Sequence, residues 1–187
     1  MHMDPTRKRW RAEDVRALPA DGNRYEVIRG TLLVTPAPRP VHQNAVFELA
    51  RLLAEYCERT RIGRMFFAPA EVEFDDETLV QPDIFVVPGR EGPVPSSWRM
   101  MPKPVLAVEV ISPSSARHDR GRKRRLYSEE RVAEYWIVDT DSRMVERWLP
   151  GDGRPEVLDA RLPWQPDPAH AALEIDLVAY FAAVWGD

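Results

Sequence analysis

The chain has 187 residues, 44% of them hydrophobic and 30% charged, with 9 Gly and 18 Pro. That composition suits a single domain over 1–187 and excludes collagen-like, disordered and solenoid classes. A lone Cys57 rules out an intrachain disulfide framework, and a chain of this size buries roughly 70% of its unfolded surface, so it needs no disulfide or structural metal for a core.

The net charge of −4 is uneven. Residues 151–187 hold seven acids and two bases, whereas between Arg117 and Arg125 six of nine residues are basic and only Asp119 opposes them. Such a run attracts phosphate through short-range electrostatics, or else forms a solvated helix face. No apolar run of about 18 residues and no signal-like start is present, so a cytoplasmic protein with no membrane partner is expected.

In chain order, a short helix over 11–18 precedes two apolar-rich runs, Tyr25 to Ile28 and Thr31 to Val34, joined by Arg29-Gly30 as a tight hairpin. Pro36, Pro38 and Pro40 read as a stiff extended connector. From His42 to about Arg61, Val46, Leu49, Leu53 and Tyr56 recur every three or four residues, which predicts an amphipathic helix. His42 falls on its buried stripe, as a capping or core histidine or as a group facing a site, while Glu48 falls on the wet face. Cys57 reads as a buried thiol.

Short strands follow near 64–67, 71–74 and 84–87, the last headed by Gln81-Pro82-Asp83, where proline suits a strand start. A loop over 88–104 leads to Val105–Ile111, almost continuously apolar, as in a central strand covered on both faces. A helix over 116–130, a strand pair over 134–138 and 144–148, a strand at 173–175 and a final helix to Trp185 complete the chain. Strand, helix and strand alternate in the centre between hairpins, so the expected class is α/β or α+β with a mixed sheet. The apolar segment from Trp164 to Trp185 either offers an interface or caps its own core.

Only Glu109 interrupts the central apolar strand, and a carboxylate there needs compensation by a metal, by an arginine of the 117–125 cluster or by protonation. Asp83 poses the same question at the head of its own apolar run. Two carboxylates from neighbouring strands would make a hard oxygen site suited to Mg²⁺; paired arginines are the plainer alternative. Lys123 lies three before Leu126 and four before Tyr127, which tilts its amine toward the sheet.

Arg24-Tyr25-Glu26-Val27-Ile28-Arg29-Gly30, His42-Gln43, Gln81-Pro82-Asp83, Val108-Glu109-Val110-Ile111-Ser112-Pro113-Ser114, Asp119 with Lys123 and Tyr127, and Glu134-Tyr135-Trp136-Ile137-Val138-Asp139 together resemble the Uma-type family. That family looks like a branch of the PD-(D/E)XK nuclease superfamily, and the resemblance covers about residues 20–150, leaving 151–187 as an extension. It implies a restriction-endonuclease-like core, a central mixed β-sheet flanked by helices, and a metal-dependent endonuclease acting on DNA.

By position, the resemblance implies Asp83 and Glu109 as catalytic ligands of Mg²⁺, with Mn²⁺ as a substitute. The superfamily's usual lysine stands two residues after the second acid, where this chain has Ile111, so Lys123 is implied as its replacement from the following helix. Arg131 stands where the family usually has a helix-ending glycine. Arg117, Arg120 and Arg124 are expected to contact the DNA backbone, and His42 and Tyr127 are accessory candidates, Tyr127 chiefly for packing. Glu26 matches a family position without an assigned role. A symmetric homodimer would suit cleavage of both strands of a palindrome. The rival expectation is an inactive nucleic-acid-binding module or mobile-element accessory protein of the same fold. A cofactor enzyme is disfavoured, because no phosphate-cradling Gly-rich loop, nucleophile elbow or HExxH is present.

Overall fold

The computed structural model describes residues 8–89, 92–112 and 115–187. Helix α1 (Ala12–Arg16) leads into β1 (Arg24–Ile28) and β2 (Thr31–Thr35), paired antiparallel across Arg29-Gly30. Both turn residues have positive φ, 51° and 75°, the backbone that a two-residue hairpin requires. Helix α2 (Pro40–Thr60) begins two residues before its expected start, with Pro40 in its first turn. Pro40 therefore belongs to the helix and not to the extended connector, because its fixed φ suits the first helical position, where no amide hydrogen is needed.

The strands β3 (Gly63–Phe67), β4 (Val72–Asp75), β5 (Thr78–Val80), β6 (Ile84–Pro88) and β7 (Leu106–Val110) follow. The three-residue β5 is too short to show a period and escaped the sequence reading. The expected helix over 116–130 is three pieces: α3 (Ala116–His118), a π-helical turn over Asp119–Lys123, and α4 (Arg124–Glu129). Then come β8 (Glu134–Asp139), β9 (Met144–Trp148), β10 (Glu156–Leu158), β11 (Arg161–Trp164), β12 (Leu173–Asp176) and α5 (Leu177–Trp185). Neither β10 nor β11 was expected. Pro113 and Ser114 of the sequence motif lie outside the described residues.

Six strands form the central sheet in the order β10-β9-β8-β7-β6-β3, antiparallel except for the parallel β7–β8 pair. The architecture is thus a mixed α+β fold with a central mixed sheet between helices. Alternation along its strands sorts side chains between two cores. Even-numbered residues such as Ile84, Val86, Leu106, Val108, Val110, Trp136 and Val138 pack with α2, α5 and the C-terminal hairpin. Odd-numbered Phe85, Val87, Ala107, Ile111, Tyr135 and Ile137 pack with Leu126 and Tyr127 of α4 and with the antiparallel sheet β2-β1-β5-β4. Trp164, Leu177, Tyr180, Phe181 and Val184 are buried in the first core, so the C-terminal segment caps the chain's own sheet. Among the described residues, no helix is long and apolar enough to cross a membrane.

Candidate active site

The site forms where β6 and β7 run side by side. Their antiparallel register pairs Ile84 with Val108 and Phe85 with Ala107, and one step further along the ladder sets Asp83 against Glu109. Both numbers are odd, so both carboxylates point to the α4 side of the sheet. Like charges opposed across strands repel, and these two are almost without solvent, 1% and 2% exposed. The pairing therefore stands only because other elements bring cations to it.

Lys123 comes from the π turn. Asp119 and Lys123, four residues apart, share its buried face, while Arg120 and Arg122 are not buried. Tyr135 Oη holds that turn by donating to the Asp119 carbonyl at 3.2 Å. The Lys123 ammonium donates to Glu109 Oε1 at 2.9 Å and pairs with Glu26 Oε1 at 2.9 Å and Asp119 Oδ1 at 3.7 Å. Tyr127 Oη donates to the same Glu109 oxygen at 3.2 Å. Its ring packs against Phe74 and Tyr135, so Tyr127 both packs and fixes the carboxylate.

Asp83 is held from three directions. Arg24 Nη2 donates to Oδ1 at 2.6 Å, the Val110 amide to Oδ2 at 2.8 Å, and His42 Nε2 lies 3.1 Å from Oδ2. With the carboxylate ionised, Nε2 carries the hydrogen of that contact, which leaves His42 Nδ1 buried with no partner among the described residues. Arg24 also approaches Glu109, its Nη1 standing 3.9 Å from Oε2. The Glu109 partner from the basic run is thus Lys123, joined by Tyr127 of α4, and the arginine at the site comes instead from β1.

Burial raises the Asp83 carboxyl, but the His42 hydrogen bond and the Arg24 charge overcome it and hold that group below the ordinary carboxylate range. For Glu109 burial wins: despite Lys123, the neighbouring Asp119, Asp83 and Glu26 help push it well above the usual 4.5. Asp119 is raised by burial too, against the pull of Lys123. Burial disfavours the Lys123 ammonium, yet Glu109, Glu26 and Asp119 more than compensate and keep it protonated.

A cavity of ≈ 250 Å³ opens onto these groups, its wall including Arg24, His42, Asp83, Glu109, Asp119 and Lys123. The β2–α2 connector closes one side through Pro36, Pro38 and Arg39; Ser112 and Ser115 close another. Four carboxylates, Glu26, Asp83, Glu109 and Asp119, face two permanent cations, Arg24 and Lys123, and burial raises two of the four, Glu109 and Asp119, toward holding a proton. A divalent cation would take the place of such protons. Among the described residues no three His, Cys, Asp or Glu side chains form a closed metal cage. Two hard carboxylates suffice for Mg²⁺, which keeps several waters and takes further oxygens from a phosphate, so the donor set fits that ion.

Two of the three expected DNA-contacting arginines lie against β9. Arg120 is committed to Glu146 at 2.6 Å and Asp139 at 3.2 Å, and the Arg124 guanidinium lies 4.7 Å over the Trp148 ring. Arg117 is exposed, two residues beyond Ser115 on the cavity wall. Arg24, Glu26 and Asp119 are site residues that the sequence reading left without roles. A signal for the first two existed: Arg24 and Glu26 share one face of β1, and polar residues at period two inside an apolar hairpin mark a face turned to something charged.

Sequence comparison agrees with this architecture. The model of the Uma2 family, described as "Putative restriction endonuclease", matches residues 12–179. The chain belongs to that family. The match runs beyond both ends of the motif string quoted above. The crystal structure of "a putative nuclease belonging to DUF820 from Anabaena variabilis ATCC 29413" is similar, with a TM-score of 0.73 and 19% identity. The likeness covers 92% of this chain and 97% of that one, and at that identity it shows a shared fold. No curated protein matches the chain.

Proposed function

We propose that the cavity is the active site of a metal-dependent endonuclease that hydrolyses DNA phosphodiester bonds. The observation that supports this reading best is the meeting of Asp83, Glu109 and Lys123 in one cavity, with the two carboxylates on facing strands and the amine donating to one of them. Asp83 and Glu109 would hold Mg²⁺, or Mn²⁺ in its place. Such an ion supplies charge to the developing phosphorane and acidifies the attacking water.

The protein's own groups do the rest. Lys123 keeps its proton and acts as a fixed positive charge toward a phosphate oxygen, not as a base. Tyr127 and Lys123 hold Glu109, while His42 and the Val110 amide hold Asp83, so both carboxylates are oriented before substrate arrives. Arg39, on the cavity wall, and exposed Arg117 would take backbone phosphates, which gives affinity and salt dependence without sequence readout. One such site cuts one strand; cutting both calls for a second copy.

Supercoiled plasmid incubated with Mg²⁺ tests the proposal. The wild-type protein should nick or linearise it, and Asp83→Asn, Glu109→Gln and Lys123→Met should each lower the rate by at least about a hundredfold while circular dichroism shows a folded chain. Plasmid that is retarded but never cut by the wild-type protein would instead identify an inactive DNA-binding module. Cutting retained in all three variants would remove the site.

A further inference from the structure

The four oxygens of Asp83 and Glu109 are not equivalent. Asp83 Oδ2 takes the Val110 amide and His42, and Glu109 Oε1 takes Lys123 and Tyr127. Those donors come from the sheet backbone or from side chains more deeply buried than Arg24. Among the described residues, the other two oxygens, Asp83 Oδ1 and Glu109 Oε2, meet the Arg24 guanidinium, at 2.6 and 3.9 Å. Arg24 is the most exposed of the side-chain partners on the cavity wall, 19% against 11% for His42 and 3% for Lys123. It also donates to the Gln81 carbonyl at 3.1 Å, which ties it to the segment that carries Asp83.

We infer that Arg24 is a displaceable internal cation: its guanidinium occupies the position between the two carboxylates in the resting protein and must yield it when a divalent ion binds. This rests on the nuclease reading and adds to it how the two carboxylates are partnered before loading. A guanidinium that donates to Asp83 and stands beside Glu109 offsets carboxylate charge as a metal does, with one charge in place of two. Replacing it leaves the fixed donors to Oδ2 and Oε1 untouched. The released guanidinium stays within the cavity, where its fork geometry suits a phosphate of the scissile strand. Metal entry is thereby coupled to the appearance of a phosphate ligand, and the empty site has little affinity for anions because Arg24 is occupied.

The experiment is Mn²⁺ binding without DNA, followed by calorimetry and by electron paramagnetic resonance, on wild-type protein, Arg24→Met and Arg24→Lys. Removing the competing charge should tighten Mn²⁺ binding to Arg24→Met by at least about tenfold, equal to ~1.4 kcal/mol, with Arg24→Lys close to wild type. DNA cleavage by Arg24→Met should fall despite the tighter metal. Equal or weaker Mn²⁺ binding by folded Arg24→Met overturns the inference, and the nuclease reading survives if the wild-type protein still binds Mn²⁺ and cuts. Absence of Mn²⁺ binding in every form removes both. Should Arg24→Met not fold, side-chain NMR of the wild-type arginines decides: Mg²⁺ should bring the Arg24 guanidinium protons into faster exchange with water, and an unchanged signal rejects displacement.

Discussion

Lys123 shows how much one side chain can hold in place. It is 3% exposed, yet it carries a full charge because three carboxylates stand within 4.0 Å, and removing it leaves Glu109 and Glu26 buried without their cation. Breaking a buried pair from one side costs about 3–5 kcal/mol. Lys123→Met should therefore lower stability in urea by that order, whereas the double variant Lys123→Met with Glu109→Gln should recover about 1–3 kcal/mol of it without recovering cleavage. A coupling near zero would mean that Glu26, not Glu109, is the partner that matters. The sequence drew attention to Lys123 through its place beside Leu126 and Tyr127, and the amine does face the sheet. It could not show Arg24 as a neighbour, because 59 residues of chain separate Arg24 from Asp83 and nothing local records their meeting.

Elements position these residues through backbone details that composition hides. The π turn over Asp119–Lys123 interrupts what periodicity describes as one continuous helix, and its two ends, Asp119 and Lys123, are both buried. A pattern of three and four cannot reveal it, since the run has few apolar residues to betray a change of phase. At Gly63, a Cβ would lie 2.2 Å from the Val87 carbonyl, so Gly63→Ala must push β3 away from β6. A loss of about 1–3 kcal/mol is expected in chemical denaturation, and an unchanged midpoint would show that the edge strand adapts freely. Arg131, where the family resemblance calls for glycine, has φ 57° in the left-handed region. Arg131→Gly should gain up to about 1 kcal/mol, since it relieves the Cβ strain at the cost of a looser unfolded chain. The residue is a departure in identity only; the backbone keeps the shape that a glycine would favour.

The whole molecule surrounds its charged centre with two apolar cores, and its stability should depend on pH accordingly. Asp83, held below its ordinary 3.8, contributes stability that is present above that value and lost as pH falls through its folded pKa. Glu109 acts in the opposite sense: it is raised above 4.5, so it favours folding most at low pH, and that contribution disappears as pH climbs toward its folded value. Without metal the chain should thus be most stable in mild acid, and Mg²⁺ should raise the melting temperature more at about pH 8 than at about pH 5, because the ion replaces the proton on the acidic cluster. Equal Mg²⁺ shifts at both pH values in scanning calorimetry would show that the ion does not bind at these carboxylates.

The one-dimensional pattern determined the parts. A nearly continuous apolar run placed Glu109 in a strand buried on both faces, the 3.6-residue period of α2 put His42 on its inner stripe, and the ordered motifs pointed to the family. Those signals are local, written in residues a few positions apart. Only the tertiary structure decided the assembly: the β6–β7 register that opposes Asp83 to Glu109, the arrival of Arg24 and Glu26 from a second sheet, and the commitment of Arg120 to Glu146 and Asp139. Each depends on contacts between distant segments, whose partners are chosen by the burial of apolar faces and the pairing of buried charge, and neither leaves a mark within a short window of the chain.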